Sequence, residues 1–497
     1  MAILAACTPN RRRTPDDTLV MAIETPMNAA DPRYTISNYD AKLGKLIAPG
    51  LTSVDTPDAM PRMELAASID RVDPLTVDVT LADRTFSDGQ PVTANDVVRT
   101  YQSVMADECN SLYQKGFLER YASIEALDDK HVRFHTKQPI AMFASDVEFG
   151  IISWHGVKPG ECHPPLVGAG PYTLRELTSQ HALLDANPHY PTRPKLPHVE
   201  IKFVRDDAAR MLMMAGGSVD ILQNTQPDLV DDIAERPRVK LAAGPSVLLT
   251  YMLLNNEDKV LRDHRVREAI ALALDRPTLV AAKFGGRAVM ATGLLPPLHW
   301  AYTADVPHYT RDLSRAKQLL DEAGYKPGPD GIRLRLTYKT SSVPFRVGLA
   351  RALAAQLGDV GIAVEVRPFE FATFFADIKK GNYEIATMQS SEIAEPDFYY
   401  FYFHSSRIPD AKDPDGGNRW RYRNAEVDRL TLAGRTELDR DKRKAIYAQV
   451  QRIVAEDLPI IPLWHEDNVA LSNVDVQGYT IVPNARFVGL IGASKSP

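Results

Sequence analysis

Residues 86–98 read FSDGQPVTANDVV, and across this stretch a turn, a strand stop and a helix start follow one another. Asp88-Gly89 suits a tight turn, because glycine accepts the positive φ that such turns demand. Pro91 has no N–H to continue a strand ladder, so it ends one. Thr93 and Asp96 make a Ser/Thr-x-x-acid start, with Thr93 capping a helix whose apolar stripe is Val97, Val98, Tyr101 and Val104. The stretch therefore predicts a strand-to-helix junction.

The same alternation extends outward in both directions. Residues 18–24 (TLVMAIE) have an apolar strand pattern closed by the turn signal Ala30-Asp31-Pro32, and 38–47 carry apolar residues at helical spacing. Residues 63–83 pass from a short helix or loop into a strand with Leu75, Val77, Val79 and Leu81 on one side. The pattern over 122–136 predicts a hairpin, which puts His131 and His135 in or beside a strand. There a spacing of four does not bring two side chains together, and no metal site is expected. Further on come strands at 198–204, 219–221, 248–255, 334–339 and 364–367. Helices are predicted at 206–217, 263–274, 312–323 and 344–357. Such interleaving points to an α/β protein with sheets covered by helices, and no fixed-period repeat suggests a solenoid.

The bulk properties narrow the function. A chain of 497 residues is too long for one core. A net charge of -6 gives no basic footprint, so no nucleic acid partner is expected. No apolar run approaches the roughly 20 residues needed to span a bilayer. There is no Gly-x-Ser-x-Gly elbow, no His-Glu-x-x-His and no phosphate loop, so no catalytic residues and no cofactor are expected; a periplasmic hydrolase is the competing class. Cys109 and Cys162 either pair in an oxidising compartment or stand as separate thiols. Cys7 ends the string Leu4-Ala5-Ala6-Cys7, which resembles the lipobox of bacterial lipoproteins, and the polar linker 8–17 (TPNRRRTPDD) follows it. That resemblance implies lipidation at Cys7. Only six residues precede it, short of a signal peptide, so a precursor beginning further upstream is expected.

Six strings in order carry a wider resemblance. They are 86–98, already quoted; 167–174 (VGAGPYTL) with Asn187 and Tyr190 beyond it; 213–221 (MMAGGSVDI); 253–276 (LLNNEDKVLRDHRVREAIALALDR); 316–325 (AKQLLDEAGY); and 418–430 (NRWRYRNAEVDRL). Together they resemble the family 5 extracytoplasmic solute-binding proteins of ABC transporters, the oligopeptide-, dipeptide- and nickel-binding class, from Leu19 to about Gly478.

The resemblance implies a bilobal α/β periplasmic-binding-protein fold, type II-like, with an extra inserted domain. Lobe I would comprise 7–51, 167–257 and 466–497, the inserted domain 52–166, and lobe II 258–465, behind a lipobox remnant and linker at 1–17. A peptide or peptide-like solute would be enclosed as the lobes close about a hinge. ABC permease subunits would receive it from a monomer at the periplasmic or cell-surface side, touching the membrane only through its lipid anchor. Where the family has an aspartate four residues before a proline to receive a peptide's amino terminus, this chain has Glu392 before Pro396. Gln389 and Ser390 stand where a tryptophan usually opens that segment. The resemblance also places Met27, Tyr251 and Trp464 at the ligand. Tyr251 and Trp464 read equally as core or hinge aromatics, and Trp420 either walls the cleft or sits on the surface. The run 398–403 (FYYFYF) reads as packing rather than as a ligand stack. The two departures around Glu392 keep a second solute class open: a sugar, an opine or chelated nickel.

Overall fold

The computed structural model describes residues 13–223, 225–390 and 392–496; Cys7 lies outside them. The described chain forms two units, one of residues 13–244 with 468–496 and one of residues 245–467.

In the first unit Thr18–Ile23 runs parallel to His198–Phe203 on one side and to Ile221–Gln223 on the other. His181–Ala186 and Tyr172–Leu177 extend the sheet beyond His198–Phe203, while Asn468–Asn473 and Val239–Gly244 extend it beyond Ile221–Gln223. Alternation along the central strand serves both faces: Leu19, Met21 and Ile23 enter one apolar core, Val20 and Ala22 another. A strand buried on both faces reads as a continuous apolar run, as 18–23 does.

Residues 66–136 of this unit fold into a four-stranded antiparallel sheet with its own core. The opening stretch behaves as its chemistry requires. Gly89 has φ 89°, Thr93 Oγ1 accepts the Asp96 N–H, and Asp96 accepts the Thr93 N–H, starting helix Ala94–Met105. Residues 63–68 form no helix. Ala66–Asp73 and Thr76–Leu81 make a hairpin, and Leu75 sits exposed in its turn, where its N–H meets Asp73 Oδ1. Cys109 and Cys162 are joined by a disulfide across 53 positions. The Gly-x-Gly-Pro-Tyr string has a steric cause: a side chain at Gly168 or Gly170 would run into the carbonyls of Leu46 and Ile47 at the end of helix Asn38–Ile47.

In the second unit Leu334–Ser341 is parallel to Ile362–Phe369 and to Ile385–Gln389. Thr250–Leu254 pairs antiparallel with Ile385–Gln389 and with Ile460–Glu466. Because Thr250–Leu254 is interior to this sheet, the second unit begins at Pro245, ahead of the 258 expected from the sequence. Its two cores lie on opposite faces, Met252 and Leu254 in one, Tyr251 and Leu253 in the other.

The residues that carried the family resemblance hold this framework. Asn255 Nδ2 donates to the carbonyls of Gly381 and Tyr383, both at 3.0 Å, and Arg267 reaches the carbonyls of Leu458, Leu261, Arg262 and Asp457. Arg276 likewise donates to Ala291, Pro462 and Tyr309, and buried Asn418 to Phe403, His404 and Tyr422. Each ties its own segment to backbone carbonyls of another.

Candidate functional site

In sheets with parallel strands, ligands gather at the strands' carboxyl ends. In the second unit that edge collects Ser341, Phe369 and Gln389, and antiparallel pairing brings Thr250 opposite both Gln389 and Trp464. Glu466 lies one step further along the same edge. Its Oε1 accepts the Thr250 hydroxyl at 2.5 Å and the Trp464 indole N–H at 3.4 Å.

The segment 389–397 crosses this edge under tight constraint. Ser390 and Leu249 exchange two hydrogen bonds, Ser390 N–H to the Leu249 carbonyl at 2.8 Å and Leu249 N–H to Ser390 Oγ at 2.9 Å. Ile393 N–H reaches the Val247 carbonyl. On the far side the Ala394 carbonyl faces His299 Nε2 at 3.1 Å, and buried Arg443 donates to Glu395 at 3.2 Å and Asp397 at 2.7 Å. Glu392, half-buried, therefore stands between two anchored stretches.

The aromatic residues take different places. Tyr251 and Trp420 meet edge to face, with centroids 5.8 Å apart, and Trp420 stacks on Tyr402 at 5.6 Å. Trp420 is 0% exposed, so it is not the surface residue that its arginine neighbours allowed. Trp464 is equally enclosed, against Phe284 at 5.1 Å. Residues 398–403 form a short helix whose Tyr399, Tyr402 and Phe403 are buried. Met27 belongs to the first unit, buried in the core beneath the carboxyl end of Thr18–Ile23.

One pair escaped the reading of the sequence. Phe371 opens helix Phe371–Lys380 immediately after the carboxyl end of Ile362–Phe369. It is 57% exposed and stacks on Phe375 at 5.8 Å with 9° between the rings. The Arg419 guanidinium lies 4.8 Å from the Phe375 ring. The available signal was two aromatics at i and i+4 directly behind a strand end, which put both on one helical face.

Residues 61–410 match the model of the bacterial extracellular solute-binding proteins, family 5. The chain belongs to this family. Among family 5 relatives, the probable D,D-dipeptide-binding periplasmic protein DdpA of Escherichia coli is 28% identical over 416 residues, 80% of this chain and 77% of its own. The structure of NikZ from Campylobacter jejuni in complex with Ni(L-His) is 24% identical with a TM-score of 0.83, covering 97% of this chain and all of that one. The oligopeptide-binding protein AppA of Bacillus subtilis, in complex with a nonapeptide, is 24% identical with a TM-score of 0.79, covering 97% of this chain and 99% of that one. A family 5 assignment agrees with an α/β fold of two sheet-based units, and among the described residues no helix is long and apolar enough to cross a membrane.

Proposed function

We propose that this chain captures a peptide or peptide-like solute and delivers it to an ABC importer, binding without catalysing. The observation that carries the reading is Glu392, a half-buried carboxylate on a loop pinned at both ends at the carboxyl edge of a sheet. A carboxylate so placed can take a solute ammonium by a charge-assisted hydrogen bond, on a loop whose flanks are already held. Phe371 and Phe375 add an apolar surface at the same edge, suited to a side chain of the solute. Met27, Tyr251, Trp420 and Trp464 stay in the proposal as supports beneath the ligand surface, since each is buried. The family assignment and the dipeptide- and oligopeptide-binding relatives support a peptide as the solute. A monomer anchored through a lipid on Cys7 and docking on permease subunits completes the reading, supported by the Leu-Ala-Ala-Cys string and the polar linker.

A non-peptide solute is the second reading, favoured by Gln389 and Ser390 in place of the family's tryptophan, with the Ser390 hydroxyl engaged by Leu249. Thermal shift against a library of dipeptides to pentapeptides separates the two. The best peptide is then titrated into the parent and Glu392→Gln, with and without an acetylated amino terminus. Loss of a buried charged partner should weaken binding by about 2 to 5 kcal/mol, against about 0 to 1 kcal/mol for a surface carboxylate. Equal affinity in all four titrations would sink the amine-recognition reading and direct the search to sugars, opines and chelated nickel.

A further inference from the structure

The first unit has its own loop at the carboxyl edge, between Thr18–Ile23 and helix Asn38–Ile47, and its residues 31–35 are gripped by distant parts of the chain. Arg33 is wholly buried, with Nη1 donating to Ser103 Oγ at 3.1 Å, Nε to Asp31 at 3.0 Å, and its guanidinium 5.1 Å from the Trp154 ring. The Arg33 carbonyl accepts the Ser111 hydroxyl at 2.8 Å, and the Thr35 carbonyl accepts the Tyr113 hydroxyl at 3.0 Å. The Tyr34 hydroxyl donates to the Cys162 carbonyl at 3.0 Å, and its ring lies 4.8 Å from that of His163.

Ser103 and Trp154 hold the Arg33 side chain, and the other contacts come from two separate segments. Ser111 and Tyr113 follow Cys109, and Cys162 with His163 lies in a stretch, 157–167, that has no helix or strand of its own. The disulfide is the covalent link between them. Residues 28 and 29 are tied independently, through their N–H groups, to Asp40 Oδ1. We infer that the Cys109–Cys162 disulfide is a strut that keeps residues 31–35, in the loop that carries Met27, in the shape that binds solute. Cys109, Cys162 and Arg33 are thereby positioning residues that touch no solute. The inference rests on the solute-binding reading above. Its physical content is preorganisation: a loop already ordered loses less conformational freedom when a ligand arrives.

The test compares the oxidised protein, the same protein reduced under native conditions, and the Cys109→Ser/Cys162→Ser double variant. Hydrogen exchange is followed at residues 31–35, whose Arg33 and Tyr34 N–H groups bond back to Asp31, with His198–Phe203 and Thr250–Leu254 as internal references. Calorimetry with the tripeptide Ala-Ala-Ala runs in parallel. Opening the disulfide should speed exchange at 31–35 while both reference strands stay protected, and weaken tripeptide binding by about three- to tenfold. Ser111→Ala, which keeps the disulfide, should produce a smaller effect of the same kind. Unchanged exchange at 31–35 overturns the strut, and faster exchange with unchanged affinity overturns its link to the solute. If the oxidised protein does not take up the tripeptide, the peptide reading loses support by itself; the exchange arm then upholds or overturns the strut alone.

Discussion

Arg443 shows how much of the placement of the Glu392 loop is decided by a residue outside that loop. Its guanidinium joins Glu395 and Asp397 beneath the Glu392 loop, with Arg443 and Glu395 both below a tenth exposed, and the Tyr447 hydroxyl adds a third contact to Asp397 at 2.8 Å. Removing Arg443 takes the nearest buried cation away from Glu395 and Asp397, with Arg435 left at 3.6 Å from Asp397. Arg443→Met should therefore lower unfolding free energy by about 3 to 5 kcal/mol, measured by urea titration. A loss below about 1 kcal/mol would mean that solvent screens the cluster. Glu392 could be singled out from the sequence because its spacing to Pro396 resembled a known pattern. Arg443 could not, since nothing within the helix Arg440–Asp457 distinguishes it from the other basic residues there.

At the scale of elements, two histidines fasten segments at the carboxyl edge of the sheet in the second unit. His299 Nδ1 accepts the Ala301 N–H at 3.1 Å, so Nε2 carries the proton and donates to the Ala394 carbonyl. His465 Nδ1 faces the Leu248 carbonyl at 2.9 Å. Burial pushes both down from 6.5 to about 4. The native state thus takes up these protons less readily than the unfolded chain. Their stabilising contribution is fully present above pH 6.5 and is lost as the pH falls toward 4, by on the order of 2 to 3 kcal/mol for each. Denaturant unfolding at stepped pH should show that decline, and it should be shallower in His299→Gln; parallel declines would exclude His299 as a contributor. Most elements were legible because their signals are local, as in 38–47 and 344–358, where the expected and observed helices agree within a residue. The hairpin at 66–81 was not. Its first strand is an edge strand rich in alanine and charge, and only pairing with Thr76–Leu81 makes it a strand. Phe371 and Phe375 were missed for a related reason: exposure is a property of the assembled fold and leaves no mark in composition.

Across the whole molecule, the family strings proved legible because they encode scaffolding that any solute would need, such as Asn255, Arg267, Arg276 and Asn418. The boundary at 245 coincides with the turn signal Gly244-Pro245, which the family-based boundary at 258 passed over. One further property belongs to this scale. Lys495 and Asp220 form an ion pair at 2.7 Å with both side chains nearly inaccessible, and Lys495 also donates to Thr14, Pro15 and Thr18. Together with the strand Asn468–Asn473, this makes residues beyond 467 part of the first unit's interior, whereas 245–467 is one continuous stretch. Time of synthesis then inverts the usual amino-terminal-first order. Chains arrested as they emerge should become protease-resistant in 245–467 while 13–244 is still cleaved, and resistance of 13–244 should appear only once residues through 495 have left the ribosome. Early protection of 13–244 would contradict this. The molecule would thus spend its first moments with one strand of its sheet, Val239–Gly244, waiting for a partner not yet made, an interval in which a chaperone or an export channel can still find it unfolded.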